Sequence, residues 1–280
     1  MTHNDDHDDF GGLHRDLLAT GAVLDRRGLL RMAARLGAGF GAMQLLGCGG
    51  SSGSDSTSGT PTAPSTPAPS GACSLIPQET AGPYPGDGSN GANVLPVTGV
   101  VRSDIRTSFG GLNGTADGVP LTIALTIVSS STCAVLSGYA VYLWHCDRLG
   151  RYSLYTSGAV NQNYLRGVQE TDASGRVSFT SIYPACYTGR WPHIHFEGFR
   201  SLSAATNVAN KIATSQIALP KGTNDQVYAT SGYEQSVTNQ AQVTLASDMV
   251  FSDGSSLELA TMTGSVAGGF TATLTVAVSV

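Results

Sequence analysis

From Cys73 onward, apolar and polar residues alternate with a period of two far more often than they recur with a helical period. The clearest run, Phe270-Thr-Ala-Thr-Leu-Thr-Val-Ala-Val-Ser-Val280, puts Phe270, Ala272, Leu274, Val276 and Val278 on one side and mainly Thr or Ser on the other. Because successive side chains of an extended backbone point to opposite faces, such a run predicts a half-buried strand. Similar runs cover 121–128, 138–145, 176–182, 193–199, 212–219 and 257–263, with turn signals such as Asp172-Ala-Ser-Gly175 and Asp253-Gly254 between them. Short strands punctuated in this way predict an all-β fold, a β-sandwich of mostly antiparallel strands that uses residues 73–280 as one domain. No internal repeat and no sustained helical period competes with that reading.

Upstream the pattern changes. Asp25-Arg26-Arg27-Gly28-Leu29-Leu30-Arg31 leads into a weakly apolar, Gly/Ala-rich run over 36–47 and resembles a twin-arginine export signal. The run closes in Leu45-Leu46-Gly47-Cys48, which resembles the lipobox of bacterial lipoproteins, with Cys48 as the acylated residue. Residues 49–72 are nearly all Gly, Ser, Thr, Pro and Ala, a composition that buries too little surface to fold and serves as a tether. The expected organisation is thus 1–48 signal region, 49–72 linker and 73–280 sandwich. The expected location is outside the cytoplasm, periplasmic or at the cell surface, with the twin-arginine export machinery as a partner and a lipid anchor in the membrane.

Composition narrows the function. Only 12% of residues are charged and the formal net charge is -5, so the chain lacks the basic stripe that a phosphate backbone requires. Nucleic-acid binding is excluded on that ground. The longest weakly charged apolar stretch, 36–46, is too short to span a bilayer. Of the five cysteines, Cys48 belongs to the signal region and leaves Cys73, Cys133, Cys146 and Cys186, an even number for an oxidising compartment. Cys73 opens the folded region and Cys133 lies in a polar turn, which favours that pair and leaves Cys146 with Cys186 as a possible second one.

Histidine is scarce. After His14 there are His145, His193 and His195. His193 and His195 stand at i and i+2 of a predicted strand and project from one face, so both imidazoles can reach one ion. His145, beside Trp144 on another predicted strand, reads more readily as core than as ligand. A zinc hydrolase wants a further His, Cys or carboxylate together with a general base. A cupin-like pattern wants a Glu several residues after the pair and a downstream His; Glu197 is too close and no such His follows.

In order and spacing, Gly150-Arg-Tyr152-Ser153, Tyr183-Pro184-Ala-Cys-Tyr187 and Arg190-Trp-Pro-His193-Ile-His195-Phe196 resemble the iron site of the intradiol ring-cleavage dioxygenases. Glu79-Thr80-Ala-Gly82-Pro83-Tyr84 resembles the substrate-side segment of that family, and Trp144-His-Cys-Asp147 a variant seen in its exported members. The resemblance implies a non-haem Fe(III) cofactor held by Tyr152, Tyr187, His193 and His195. It also implies a catechol-type substrate cleaved with O2 to a muconate-type diacid. Arg190 would stabilise charge that builds on the substrate, Tyr187 would leave the metal and take a substrate proton, and Gln216 would stand near the oxygen side. Thr80, Gly82, Pro83 and Tyr84 would line the ring pocket. Fe(III) suits this donor set, because a hard cation favours anionic oxygen and displaces the phenolic proton. Tyr142, Tyr155, Tyr164, Tyr183, Trp144 and Trp191 read as packing or rim aromatics. The alternative is a surface lipoprotein module that keeps the fold and binds aromatics or ferric catecholates without turnover.

Overall fold

The computed structural model of the chain describes residues 73–280. Eight strands form two four-stranded sheets. They are β1 (Pro120–Ser129), β2 (Ala140–Trp144), β3 (Arg166–Glu170), β4 (Arg176–Ile182), β5 (His193–Phe199), β6 (Lys211–Ala218), β7 (Thr261–Ser265) and β8 (Gly269–Val278). The first sheet has the order β4-β1-β8-β7 and the second β3-β2-β5-β6. All neighbours are antiparallel except β1 and β8, which run parallel from Leu121 opposite Phe270 to Ser129 opposite Val278.

The alternation read from the sequence decides what lies between the sheets. Leu121, Ile123, Leu125 and Ile127 of β1, Val177 and Phe179 of β4, and Phe270, Ala272 and Val276 of β8 join Val141, Leu143, Ile194, Phe196 and Ile217 of the second sheet in one apolar core. The first sheet turns its Thr-rich face outward. The second sheet is covered on both faces: every residue of β2 is buried, and Tyr142, Trp144, Val168 and Phe199 pack on a second apolar cluster with Val94, Val100, Tyr152 and Cys146. That covered outer face carries His193 and His195, which alternate with the core residues Ile194 and Phe196.

Each predicted strand has a counterpart, with β7 displaced from 257–263 to Thr261–Ser265. β3 was not foreseen, and neither were two short helices, α1 (Lys221–Tyr228) and α2 (Glu234–Gln240). Both helices are of two turns; α1 buries Thr223 and Asn224 beside the core residues Val227 and Tyr228, and α2 buries the polar Ser236 and Asn239. Cys73 and Cys133 form a disulfide with their Cα atoms 5.2 Å apart. The second pairing is corrected: Cys146 and Cys186 are free, buried thiols. The Cys146 thiol faces the Ala185 carbonyl oxygen at 3.7 Å and the Cys186 thiol the Arg190 carbonyl oxygen at 3.3 Å, so each is occupied by backbone. Arg26, Arg27, Cys48 and the 49–72 linker lie outside the described residues. No helix among the described residues is long and apolar enough to cross a membrane.

Candidate active site

One row across the second sheet organises the site. Register places Arg166 of β3 beside Trp144 of β2, Trp144 beside His195 of β5, and His195 beside Gln216 of β6. The Trp144 and His195 rings stack with centroids 4.9 Å apart and planes 3° from parallel. His193, one pleat along β5, points the same way, and its Nε2 stands 3.1 Å from that of His195.

Two loops bring phenols to this pair. The β2–β3 loop is folded around the buried Asp147 carboxylate, which accepts from the Leu149 and Arg151 amides, Arg151 Nε and Tyr164 Oη. It places Tyr152 Oη 3.2 Å from His195 Nε2 and 3.4 Å from His193 Nε2. The β4–β5 loop is gripped by α2, whose Ser236 hydroxyl accepts from the Cys186 amide while Asn239 Nδ2 donates to the Cys186 carbonyl. It places Tyr187 Oη 3.2 Å from His193 Nε2. Gly150, at φ +80°, lets the loops approach, since a Cβ there would stand 3.0 Å from Tyr187 Cβ. Tyr152 is buried and Tyr187 half-buried.

Four donor atoms thus converge at separations of 3.1 to 3.4 Å. An ion with bonds of about 2.0–2.1 Å holds adjacent donors roughly 3.0–3.4 Å apart, so the set has the dimensions of a coordination shell. The protonation chemistry agrees. His193 Nδ1 lies 2.5 Å from the Trp191 carbonyl oxygen, which fixes the proton on Nδ1 and leaves the Nε2 lone pair free. Burial, reinforced by Arg190, holds both imidazoles well below their ordinary pKa and hence neutral. Burial pushes Tyr152 well up and Tyr187 up to about 12, so neither phenol ionises without a cation beside it. No group of three or more His, Cys, Asp or Glu among the described residues could hold a metal ion, so a metal at this place needs the tyrosines.

Arg190 lies alongside, buried, with Nη1 3.4 Å from His193 Nε2. Its Nη2 donates to Gln216 Oε1 at 2.7 Å, and Gln216 Nε2 donates to the Thr80 carbonyl at 2.9 Å. Gln216 therefore bridges the guanidinium to the 79–84 segment. Gly82, at φ +68°, crosses over His195, where an added Cβ would be 3.5 Å from Cε1; its amide donates to Thr80 Oγ1. The Tyr84 ring sits 5.0 Å from that of Tyr152, and the Pro83 carbonyl accepts from Asn90 Nδ2.

Other residues were not foreseen. Arg166 is 1% exposed and places its five N–H groups on neutral oxygens: the Tyr84, Pro85 and Ser153 carbonyls, Ser153 Oγ and Tyr142 Oη. It ties the segment that carries Tyr84 to the loop that carries Tyr152. Asp248 is fully buried and bound to Arg190. Neither residue sits in a sequence motif that would reveal it. His145 stays out of the cluster, with Nδ1 on the Cys146 carbonyl and Nε2 on Ser181 Oγ, each at 2.7 Å. Tyr142, Tyr164 and Tyr183 are buried hydrogen-bonded packing residues, and Tyr155 is a rim residue whose hydroxyl donates to Asn90.

Residues 103–205 match a family model described as dioxygenase. The intradiol ring-cleavage dioxygenase from Tetranychus urticae superposes with a TM-score of 0.60 at 24% identity, over 74% of this chain and 95% of that one. A second dioxygenase structure gives 0.59 at 24% identity over the same shares, 74% and 95%. Catechol 1,2-dioxygenase from Pseudomonas arvilla C-1 gives 0.45 at 18% identity, over 73% of this chain and 62% of that one. No curated protein matches the chain. The matched segment contains Tyr152, Tyr187, Arg190, His193 and His195, and the chain shares the fold of the intradiol ring-cleavage dioxygenase from Tetranychus urticae.

Proposed function

We propose that the chain is a ferric intradiol dioxygenase that opens a catechol-type ring with O2 to a muconate-type diacid. The observation that carries this reading is the convergence of Tyr152 Oη, Tyr187 Oη, His193 Nε2 and His195 Nε2 beside a buried guanidinium. Tyr152, Tyr187, His193 and His195 would hold Fe(III), which when bound supplies the coupling between an electron-rich catecholate and dioxygen.

The chain's own residues do the rest. Neutral imidazoles leave the positive charge of the site to the ion and to Arg190. Tyr187, the more exposed phenol, is the group placed to accept a proton from a substrate hydroxyl at its Oη. Arg190 stays charged, because Tyr187 and Asp248 together outweigh the effect of burial, and it aims Nη1 at the place where negative charge builds. Gly82 over His195 and Tyr84 beside Tyr152 support a ring pocket lined by Thr80, Gly82, Pro83 and Tyr84.

Metal analysis, visible absorption and oxygen uptake over a panel of catechols test the reading together. We expect stoichiometric iron, a reddish tyrosinate charge-transfer band and uptake of one O2 per ring opened. Stoichiometric zinc with no visible absorption overturns it, and iron without uptake on any catechol leaves a binding module instead.

We also propose that Arg26 and Arg27 direct export by the twin-arginine route and that acylated Cys48 tethers the domain through residues 49–72. Arg26→Lys with Arg27→Lys should keep the protein in the cytoplasm, and Cys48→Ala should abolish lipid labelling. Unaltered membrane fractionation and mass in Cys48→Ala would remove the anchor.

A further inference from the structure

Arg190 has five N–H donors and no freedom. Its Nε donates to Asp248 Oδ2 at 3.0 Å, Nη2 lies 3.4 Å from Asp248 Oδ1 and 2.7 Å from Gln216 Oε1, and Nη1 faces His193 Nε2 at 3.4 Å. The Asp248 end is built with unusual redundancy. Its two oxygens also accept from the Trp191 amide at 2.6 Å, the Val250 amide at 2.8 Å and the Phe251 amide at 3.2 Å. The Val250 and Phe251 amides of its own loop hold this carboxylate independently of Arg190. The same carboxylate grips the backbone one residue beyond Arg190, so it sets both the origin and the direction of that side chain. Phe251 completes the seat, with its ring 6.0 Å from the guanidinium and 6.5 Å from the His193 ring.

We propose that Asp248 is the positioning residue of this site. By holding the Nε–Nη2 edge of Arg190 it turns Nη1 toward the four-donor cluster, and by pairing with the guanidinium it keeps a full cation in a dry pocket. The proposal rests on the role given to Arg190 above. Two consequences separate it from a merely structural role for the 244–253 loop. Losing Asp248 should matter only while Arg190 is present, and it should show first in how fast the Arg190 Nε–H exchanges with water.

The test uses the full chain with Asp248→Asn, Arg190→Ala and the double variant. Asparagine retains one carbonyl oxygen for the loop amides but turns a donor toward Arg190. In iron-loaded protein we expect Asp248→Asn to keep its iron and lose kcat by on the order of 10²-fold, with KM changed far less. Adding Asp248→Asn to Arg190→Ala should cost less than about twofold more. In gallium(III)-loaded protein, which is diamagnetic, the Arg190 Nε–H resonance, identified by its loss in Arg190→Ala, should be sharp and slowly exchanging, and Asp248→Asn should abolish it. If Asp248→Asn does not fold, Asp248→Glu keeps the charge while displacing the guanidinium, and should give the same kcat loss with a shifted resonance. An unchanged resonance in the variant overturns the proposal, as does equal damage with and without Arg190. A wild type that shows the protected resonance but takes up no oxygen instead defeats the dioxygenase reading and leaves the positioning intact.

Discussion

Trp144 holds His195 by its face. The two rings stack across β2 and β5 at 4.9 Å, while the buried Nδ1 of His195 has no hydrogen-bond partner. His193 is oriented differently, through its Nδ1 contact with the Trp191 carbonyl. One imidazole is thus aimed by a hydrogen bond and the other by an indole surface. Trp144→Leu should weaken iron binding by about 10–100-fold, the usual cost of losing a group that orients a ligand. Trp144→Phe should preserve most of it. Chelator competition measures both, and equal iron affinity in Trp144→Leu and wild type would assign Trp144 to packing alone.

Arg190→Ala should leave iron and colour in place and lower turnover by about 10²–10³-fold, as removal of one aimed electrostatic donor does. Arg190→Lys should recover little, because an ammonium cannot serve Asp248, Gln216 and the cluster along three edges at once. Steady-state oxygen uptake reads this directly. Wild-type rates in Arg190→Ala would place the charge elsewhere.

His145 makes stability depend on pH. Burial lowers its pKa from 6.5 to about 4, against the opposing pull of the Cys146 carbonyl. Between those values the unfolded chain binds a proton that the folded chain refuses, so this contribution is complete above about pH 6.5 and is lost as the pH falls toward about 4. Its full size is on the order of 3 kcal/mol. Denaturant midpoints between pH 7 and 4.5 should fall more steeply in the wild type than in His145→Gln, which can still meet the Cys146 carbonyl. Parallel curves would rule His145 out as the source.

The Cys73–Cys133 bridge spans a sequence separation of 60 residues. Constraining a loop of that length in the unfolded chain stabilises by about 4 kcal/mol on the chain-entropy account. Cys73→Ser should lower the thermal midpoint by several degrees without altering iron content, since the bridge lies at the β1 end remote from the donor cluster. Coincident melting curves would mean that the folded ends already hold together without it.

Much of this was legible before any coordinates. The strands that alternate cleanly, such as β1, β4 and β8, bury one face against a core and solvate the other, so period two survives in their sequences. The His193 and His195 pair was legible because polar and apolar residues alternate on β5 too, although both of its faces are covered. β3 was not, because Arg-Gly-Val-Gln-Glu carries one apolar side chain and its buried Arg166 is satisfied by oxygens from distant segments. The helices escaped because each is only two turns long and much of what they bury is polar, Asn224, Ser236 and Asn239, held by hydrogen bonds, with only Val227 and Tyr228 of α1 in the apolar core. Asp248 meets Arg190 across 58 positions, and nothing local marks it. An even cysteine count suggested a second bridge, but the count is blind to the carbonyls that take up both thiols.

The parallel pairing of β1 with β8 has a consequence for synthesis. β8 is a central strand of its sheet, and Leu121 waits for Phe270 while the Ile76 amide waits for the Ala277 carbonyl. At about 5–20 residues per second a ribosome needs on the order of ten seconds to pass from one to the other. During that interval all four strands of the sheet that carries the donor cluster emerge, while the sheet that backs them still lacks one of its two middle strands. Early termination anywhere before Gly269 therefore removes a keystone strand and not a trimming at the edge. A nascent chain can gather its histidines and tyrosines but cannot seal the core behind them until its last strand leaves the tunnel.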